Sequence, residues 1–500
     1  MRTIAAAASS AALLALSVGT GGWTTSGAAA PIEARPNILF AIGDDWGWPH
    51  AGAYGDSVVR TPTFDRLARE GVLFDHAYVA SPSCTPSRAA ILTGQWHWRL
   101  EESANLWSTL RQEYPVYPEL LARAGYHVGL QGKGWGPGRL EPGGRTENPA
   151  GPEFASLEAF LDARPRDRPF CYWFGSSDPH RDYEEGRGAA SGIDLAAIRL
   201  FAHLPDARDV RRDVADYYWE VQRFDTEVGR MLDLLERRGE LGRTLVVMTG
   251  DNGIPFPRCK ANLYDCGVRV PLVMRWPARL AAARRLDAFV SLTDLAPTFL
   301  ELAGVGAPPA TTGRSLVSLL GKNDPPATEV AARDNVICGK ERHVPGQEEP
   351  DLGGTPMRSL RTHDFLYVRN FRPDRWPAGT PEVEKAAIEG RWLADCDNGP
   401  TKLLMVEHRD DNPVHRRLYD LAFAKRPAEE LYDLRKDPGQ MTNVAGERSY
   451  AEVKERLAAR LLAELEATGD PRVLGGAERL EAYPYYGGSP TKPVVPPRPQ

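Results

Sequence analysis

Residues 38–45 read Ile38-Leu39-Phe40-Ala41-Ile42-Gly43-Asp44-Asp45: an unbroken apolar run, a glycine, then two adjacent carboxylates. A strand that is apolar at every position has both faces covered, the condition of a central strand in a parallel sheet. The same plan recurs downstream. His127–Leu130 leads to Gly132-Lys133, Phe170–Phe174 to Asp178-Pro179-His180, and Leu245–Thr249 to Gly250-Asp251-Asn252. Helix signals lie between them, over 62–70, 118–124 and 210–237. This alternation predicts an α/β fold with a large mixed, mainly parallel sheet flanked by helices. Ligands in such sheets bind beyond the carboxyl ends of the strands, and here four of those ends carry polar residues.

Adjacent carboxylates resist joint ionisation unless a cation offsets them. Asp44, Asp45, Asp251 and Asn252 are therefore candidate ligands for a hard cation; oxygen donors without paired histidines suit calcium or magnesium better than zinc. Taken singly, either pair reads sooner as a helix or turn cap, the commonest duty of Asp and Asn, and only together with the cysteine motif below does the metal reading prevail.

With 42% hydrophobic residues, 500 residues can bury a large core plus a smaller one. The net charge of −6 offers no basic field, so nucleic acid is not an expected partner and an anion needs a local cluster of cations. Arg2, the apolar stretch 4–18 and the small residues after it resemble a secretory signal peptide cleaved between Gly27 and Ala34. That run is too short for a membrane span, so an exported chain (periplasmic or extracellular) without a membrane span is expected. Six cysteines are too few for a disulfide scaffold; Cys259 and Cys266 either pair or stay as separate buried thiols.

Residues 84–94 contain Cys84-Thr85-Pro86-Ser87-Arg88, then an apolar helical segment ending in Thr93-Gly94. A thiolate is a poor partner for a hard, oxygen-bound cation, so an unmodified cysteine would be mismatched to a site built from these acids. The C-x-P-S-R pattern resembles the signature of the formylglycine-dependent (type I) sulfatases, in which the cysteine is oxidised to an aldehyde. Gly43-Asp44-Asp45, Gly132-Lys133, Asp178-Pro179-His180-Arg181 and Gly250-Asp251-Asn252-Gly253 follow in that family's order, and Leu431-Tyr432-Asp433-Leu434 resembles its C-terminal domain. Asp251-Asn252-Gly253-Ile254-Pro255-Phe256-Pro257, with Asn262-Leu263-Tyr264, is most similar to the heparan N-sulfatases.

The resemblance implies an alkaline-phosphatase-like fold, one calcium ion and a formylglycine at residue 84 made by a formylglycine-generating enzyme. The calcium would be bound by Asp44, Asp45, residue 84, Asp251 and Asn252. An aldehyde hydrate presents two oxygens, one to ligate and attack sulfur, the other to expel the sulfate, which a thiol cannot do. By the same resemblance Arg88 and Lys133 steady the formylglycine and sulfate, Lys260 touches the sulfate and His180 serves the leaving group. The substrate implied is a sulfated sugar or glycosaminoglycan fragment. N-sulfoglucosamine leads, a sugar O-sulfate such as a 6-O-sulfate is the alternative, and a phosphodiester hydrolase of the alkaline-phosphatase superfamily stands further off.

One departure stands out. These sulfatases commonly carry histidine two residues after the Gly-Lys lysine, where this chain has Trp135. An indole neither accepts nor delivers a proton there, so His180 or another group must. Trp135 either walls the sugar site or packs in the core. Arg181 and the polar run Glu341-Arg342-His343 are candidate substrate contacts, a solvated loop being the plainer reading of the latter. The expected organisation is a signal peptide (1–30), a catalytic domain (31–350), a smaller α+β domain with an antiparallel sheet (351–482) and a Pro/Gly-rich tail (483–500).

Overall fold

The computed structural model describes residues 35–488; the expected signal peptide and the tail beyond Gly488 lie outside the described residues. Seven strands form the large sheet: β1 (Asn37–Gly43), β2 (Val72–Tyr78), β3 (His127–Gly132), β4 (Phe170–Gly175), β5 (Thr244–Gly250), β6 (Leu272–Arg275) and β7 (Arg284–Ser291). Their order is β3-β4-β1-β5-β6-β2-β7. Every neighbouring pair is parallel except those of β6, which runs antiparallel to β5 and β2. The sheet is thus the large mixed, mainly parallel one expected. All of β1 is buried, as its continuous apolar run requires.

Register is what builds the site. Gly132 pairs with Gly175, Ile42 with Gly175, and Gly43 with Gly250, so β3, β4, β1 and β5 stop at one level. The residues that follow each strand then emerge side by side. Glycine at these ends answers close backbone approach: a Cβ on Gly175 would sit 1.8 Å from the carbonyl oxygen of Lys133, and one on Gly250 2.1 Å from that of Trp46.

Helix α1 (Pro62–Glu70) starts on its proline, whose missing N–H costs nothing in the first turn. The helix Arg208–Arg237 buries Val214, Tyr217, Val221, Phe224, Val228, Met231 and Leu235, an i, i+3, i+4 stripe laid on the sheet. Helix α2 (Cys84–Thr93) is different: all ten residues are buried, so it threads the middle of the molecule. Gly94, at φ 67°, ends it by donating its N–H to the Ala90 carbonyl at 2.9 Å.

The second sheet is antiparallel, ordered β11-β10-β9-β8 from β8 (Asn335–Lys340), β9 (Met357–Thr362), β10 (Phe365–Asn370) and β11 (Glu429–Asp433). It takes its first strand from within the span 31–350 expected for the catalytic domain. The helix Ala451–Ala467 lays Leu457, Leu461 and Leu465 on Ile337, Leu360 and Tyr367, and Trp98 joins that cluster from the region after α2. The alternate residues Val336, Cys338, Met357, Leu366 and Val368 join the core of the large sheet instead, which ties the two sheets together. Leu461→Ala should cost about 2–5 kcal/mol, the usual range for emptying a buried leucine site, seen as a lower midpoint in urea unfolding. No helix among the described residues is long and apolar enough to cross a membrane.

Candidate active site

The level strand ends bring Asp44 and Asp45 from β1 beside Asp251 and Asn252 from β5. Backbone bonds fix them: Asp251 N–H donates to Gly43 O, and Asp44 N–H to Asp178 O, both at 3.0 Å. The Asp45 N–H donates to Asp251 Oδ1 at 2.9 Å, an approach that takes Asp45 to φ 70°. Cys84, first residue of α2, enters from the other side. One carboxylate oxygen each from Asp44, Asp45 and Asp251 lies with Cys84 Sγ in a set whose members are within 4.8 Å of one another. Asn252 Nδ2 is 3.7 Å from that sulfur.

Cations interleave these acids. Arg88, fully buried, donates Nε to Asp251 Oδ2 at 2.8 Å and a terminal nitrogen to Asp44 Oδ1 at 3.3 Å. Its other terminal nitrogen holds the carbonyls of Lys133 and Gly134. Lys133 Nζ reaches Asp44 Oδ2 at 2.5 Å. Lys260 Nζ lies 2.8 Å from Asp45 Oδ2, 2.9 Å from Asp397 Oδ2 and 3.1 Å from His180 Nε2. Burial works against ionising Asp44, but Lys133, His180 and Arg88 overrule it and hold the carboxyl well below its usual range. For Asp45 burial wins over Lys260 and His180, and its pKa rises to about 6. Asp251 is raised too, by burial against the pull of Arg88. Burial, reinforced by Asp44 and Asp251, lifts the Cys84 thiol well above its ordinary value. As written by the gene, residue 84 is a protonated thiol and a weak nucleophile.

The donor set suits a hard cation. Asp45 Oδ1 and Asn252 Oδ1 are buried oxygens without a hydrogen-bond partner among the described residues, a costly condition unless something is to be bound. The four carboxylates Asp44, Asp45, Asp251 and Asp397 face the three fixed cations Arg88, Lys133 and Lys260. A divalent ion would turn that excess of negative charge positive, which an anionic substrate needs.

At its N-cap, Ser83 turns its hydroxyl to His343 Nδ1 at 2.8 Å instead of capping α2. The first N–H groups of α2 are left without a side-chain cap, the usual setting for an oxyanion. Outward from Cys84 opens a cavity of about 570 Å³, lined among others by Lys133, His180, Lys260, His343 and Asp397. His180 is partly exposed in it, with Nδ1 2.5 Å from the Arg181 carbonyl.

Nine of the residues singled out in the sequence thus converge: Asp44, Asp45, Cys84, Arg88, Lys133, His180, Asp251, Asn252 and Lys260. Others go elsewhere. Trp135 is buried in the core against Gly138, its backbone bracketed by Asn148, and does not line the cavity. Core packing, not a sugar wall, is its role. Arg181 touches the cavity, but its guanidinium is spent on Asp213 at 2.7 and 2.9 Å. Glu341 is buried between Arg358 and Arg472, away from the cavity. Arg342 donates to the carbonyls of Tyr483 and Pro484, clamping the segment that delivers Tyr485 to the cavity mouth. Of this polar run only His343 faces the site. Burial, with help from Lys260 and Lys340, lowers its pKa to about 4, so its ring is neutral near pH 7.

Three site residues escaped the sequence reading. Asp397, from the segment after Cys396, pairs with Lys260. Trp107 and Tyr485 add aromatic surface at the mouth. None follows a strand or sits in a motif; the irregular segments that carry them reach the site only through the fold.

Comparison with known proteins agrees with this geometry. The Sulfatase family model matches residues 36–136 and 154–305, half of the chain. The human N-sulphoglucosamine sulphohydrolase is 30% identical over 88% of this chain and 92% of its own length. An ulvan-active sulfatase of Formosa agariphila is 27% identical over 88% of this chain and 82% of its own. Among solved structures, one in complex with its substrate D-glucosamine-2-N,6-O-disulfate superposes with a TM-score of 0.58 at 21% identity, covering 87% of this chain and 98% of that one. Its fold is the fold found here. With C-x-P-S-R at the mouth of an acid-and-cation cluster, in a chain matched over both halves of that cluster, this protein belongs to the sulfatase family.

Proposed function

We propose that the chain hydrolyses sulfate from a sulfated sugar, N-sulfoglucosamine of heparan-type glycans foremost, using Cys84 converted to formylglycine and one calcium ion. The observation that carries this is Cys84 set among Asp44, Asp45 and Asp251, in a cluster where Asp45 Oδ1 and Asn252 Oδ1 are buried without a partner among the described residues. Asp44, Asp45, Asp251 and Asn252 would hold the calcium, together with residue 84 in its oxidised form. That pair would supply an oxygen nucleophile in place of the thiol and a Lewis acid beside it.

The chain's own residues do the rest. Arg88 bridges Asp44 and Asp251 and keeps both acids facing residue 84. Lys133 and Lys260, with the uncapped start of α2, present positive charge where the sulfuryl oxygens develop negative charge. Lys260 Nζ donates to His180 Nε2, and this pair is the source of the proton handed to the departing nitrogen or oxygen, the ammonium supplying it and the imidazole passing it on. The neutral His343 ring, joined through Ser83 to residue 84, stands in for the histidine that Trp135 replaces. Support for the N-sulfate comes from the local likeness over residues 251–264 and from the similarity to the human sulphohydrolase. Matched assays on N-sulfated and 6-O-sulfated glucosamine test the substrate. A kcat/KM at least about tenfold higher on the N-sulfate, a difference of about 1.4 kcal/mol in the barrier, is expected. The reverse preference assigns the chain to the O-sulfatases.

A further inference from the structure

Cys259 and Cys266 are both free, and the fold brings His203 to them. His203 Nε2 is 3.3 Å from Cys259 Sγ, and the three ligand atoms lie within 4.8 Å of one another, all buried. From this geometry we infer a second metal site, for a soft or borderline d10 cation such as Zn2+, held by His203, Cys259 and Cys266.

Four features carry it. Two sulfurs and an imidazole are the donor set such ions prefer, and a hard ion like calcium does not. With bonds of about 2.3 Å to sulfur and about 2.0–2.1 Å to nitrogen, ligand atoms around zinc stand roughly 3.5–3.8 Å apart, close to the sulfur–nitrogen distance found. The His203 ring also faces the backbone carbonyl of Pro257, the kind of outer contact that fixes the tautomer of a ligating histidine. An adjoining cavity of about 210 Å³, lined by His203, Arg258 and Cys266, gives an entry path and room for water as fourth ligand.

Binding would exchange two thiol protons for one Zn2+, leaving two thiolates and a neutral imidazole around the ion. Its consequence lies in what the cysteines flank. Cys259 precedes Lys260, and the segment from Asp251 to Val268 folds back on itself through Gly253 N–H to Gly267 O and Ile254 N–H to Cys266 O. The ion would brace the loop carrying Asp251, Asn252 and Lys260.

The test uses full-length Cys84→Ala protein stripped of transition metals and then saturated with calcium, so that the first site neither binds the probe nor turns over. Titration with Zn2+ should show one equivalent bound with two protons released, and Co2+ in its place should give thiolate-to-metal charge-transfer absorption. Both signals should vanish in Cys266→Ser and in His203→Gln. The parent protein carries the decisive reading even where a variant fails to fold. Absence of zinc uptake and of the charge-transfer band, or a Cys259–Cys266 disulfide in the peptide map of freshly purified protein, overturns the inference.

Discussion

Cys84→Ala should abolish sulfate release, lowering kcat/KM by at least about 10³–10⁴-fold, because it removes the precursor of the oxygen proposed to attack sulfur and not merely a binding contact. The substitution should leave the fold intact. Cys84 is the small first residue of α2, and its sulfur makes only long contacts, 3.5 Å to Asp44 and 3.7 Å to Asn252. Cys84→Ser separates two explanations. A hydroxyl restores an oxygen nucleophile but not the second hydrate oxygen, so it should allow at most one slow turnover, with sulfate left on the enzyme. Steady turnover by the serine variant would show that a simple hydroxyl suffices. Sulfate release is read by ion chromatography in both cases.

Calcium should stabilise the protein whether or not residue 84 is oxidised. The proposed site could hold a cation only when folded, since Asp44 and Asp45 on one side and Asp251 and Asn252 on the other are over two hundred residues apart in sequence. A ligand bound only by the native state adds about 2.7 kcal/mol at a hundred times its dissociation constant. Thermal unfolding should therefore move up by a few degrees when calcium is added and fall back with chelator. Asp45→Asn should erase most of that shift, because it removes a charge from an oxygen that lacks any other partner. Magnesium should substitute poorly, being reluctant to shed its waters for a crowded carboxylate cage. A melting temperature indifferent to calcium in the parent protein would mean that Lys133, Lys260 and Arg88 already satisfy the cluster.

Much of the sheet was legible because its logic is local. Continuous apolar runs mark strands covered on both faces, and the glycine closing each one marks where backbones crowd at the sheet edge, as at Gly175 and Gly250. Once four such ends are aligned, the residues after them must meet, which is why Asp44, Lys133, His180 and Asp251 could be named together. Side chains whose roles depend on distant partners were not legible. Arg181 looked free until Asp213, a turn into the helix Arg208–Arg237, claimed it. Glu341 and Arg342 looked like a polar loop, yet each is buried in contacts with residues beyond 350. Asp397 had no local signal at all, since only Lys260 gives it a role. Strand β8 also lies before the boundary expected at 350, because pairing with β9 and not position in the chain defines the smaller sheet.

Everything proposed for the chemistry rests on residue 84 ceasing to be a thiol. The most direct check is the mass of the peptide spanning Ser81–Arg88 from enzyme co-expressed with a formylglycine-generating enzyme and sorted by activity. Active protein should carry hydrogen sulfide lost and one oxygen gained at residue 84, in proportion to its specific activity. Full sulfatase activity from protein in which that residue is still an unmodified cysteine would contradict it.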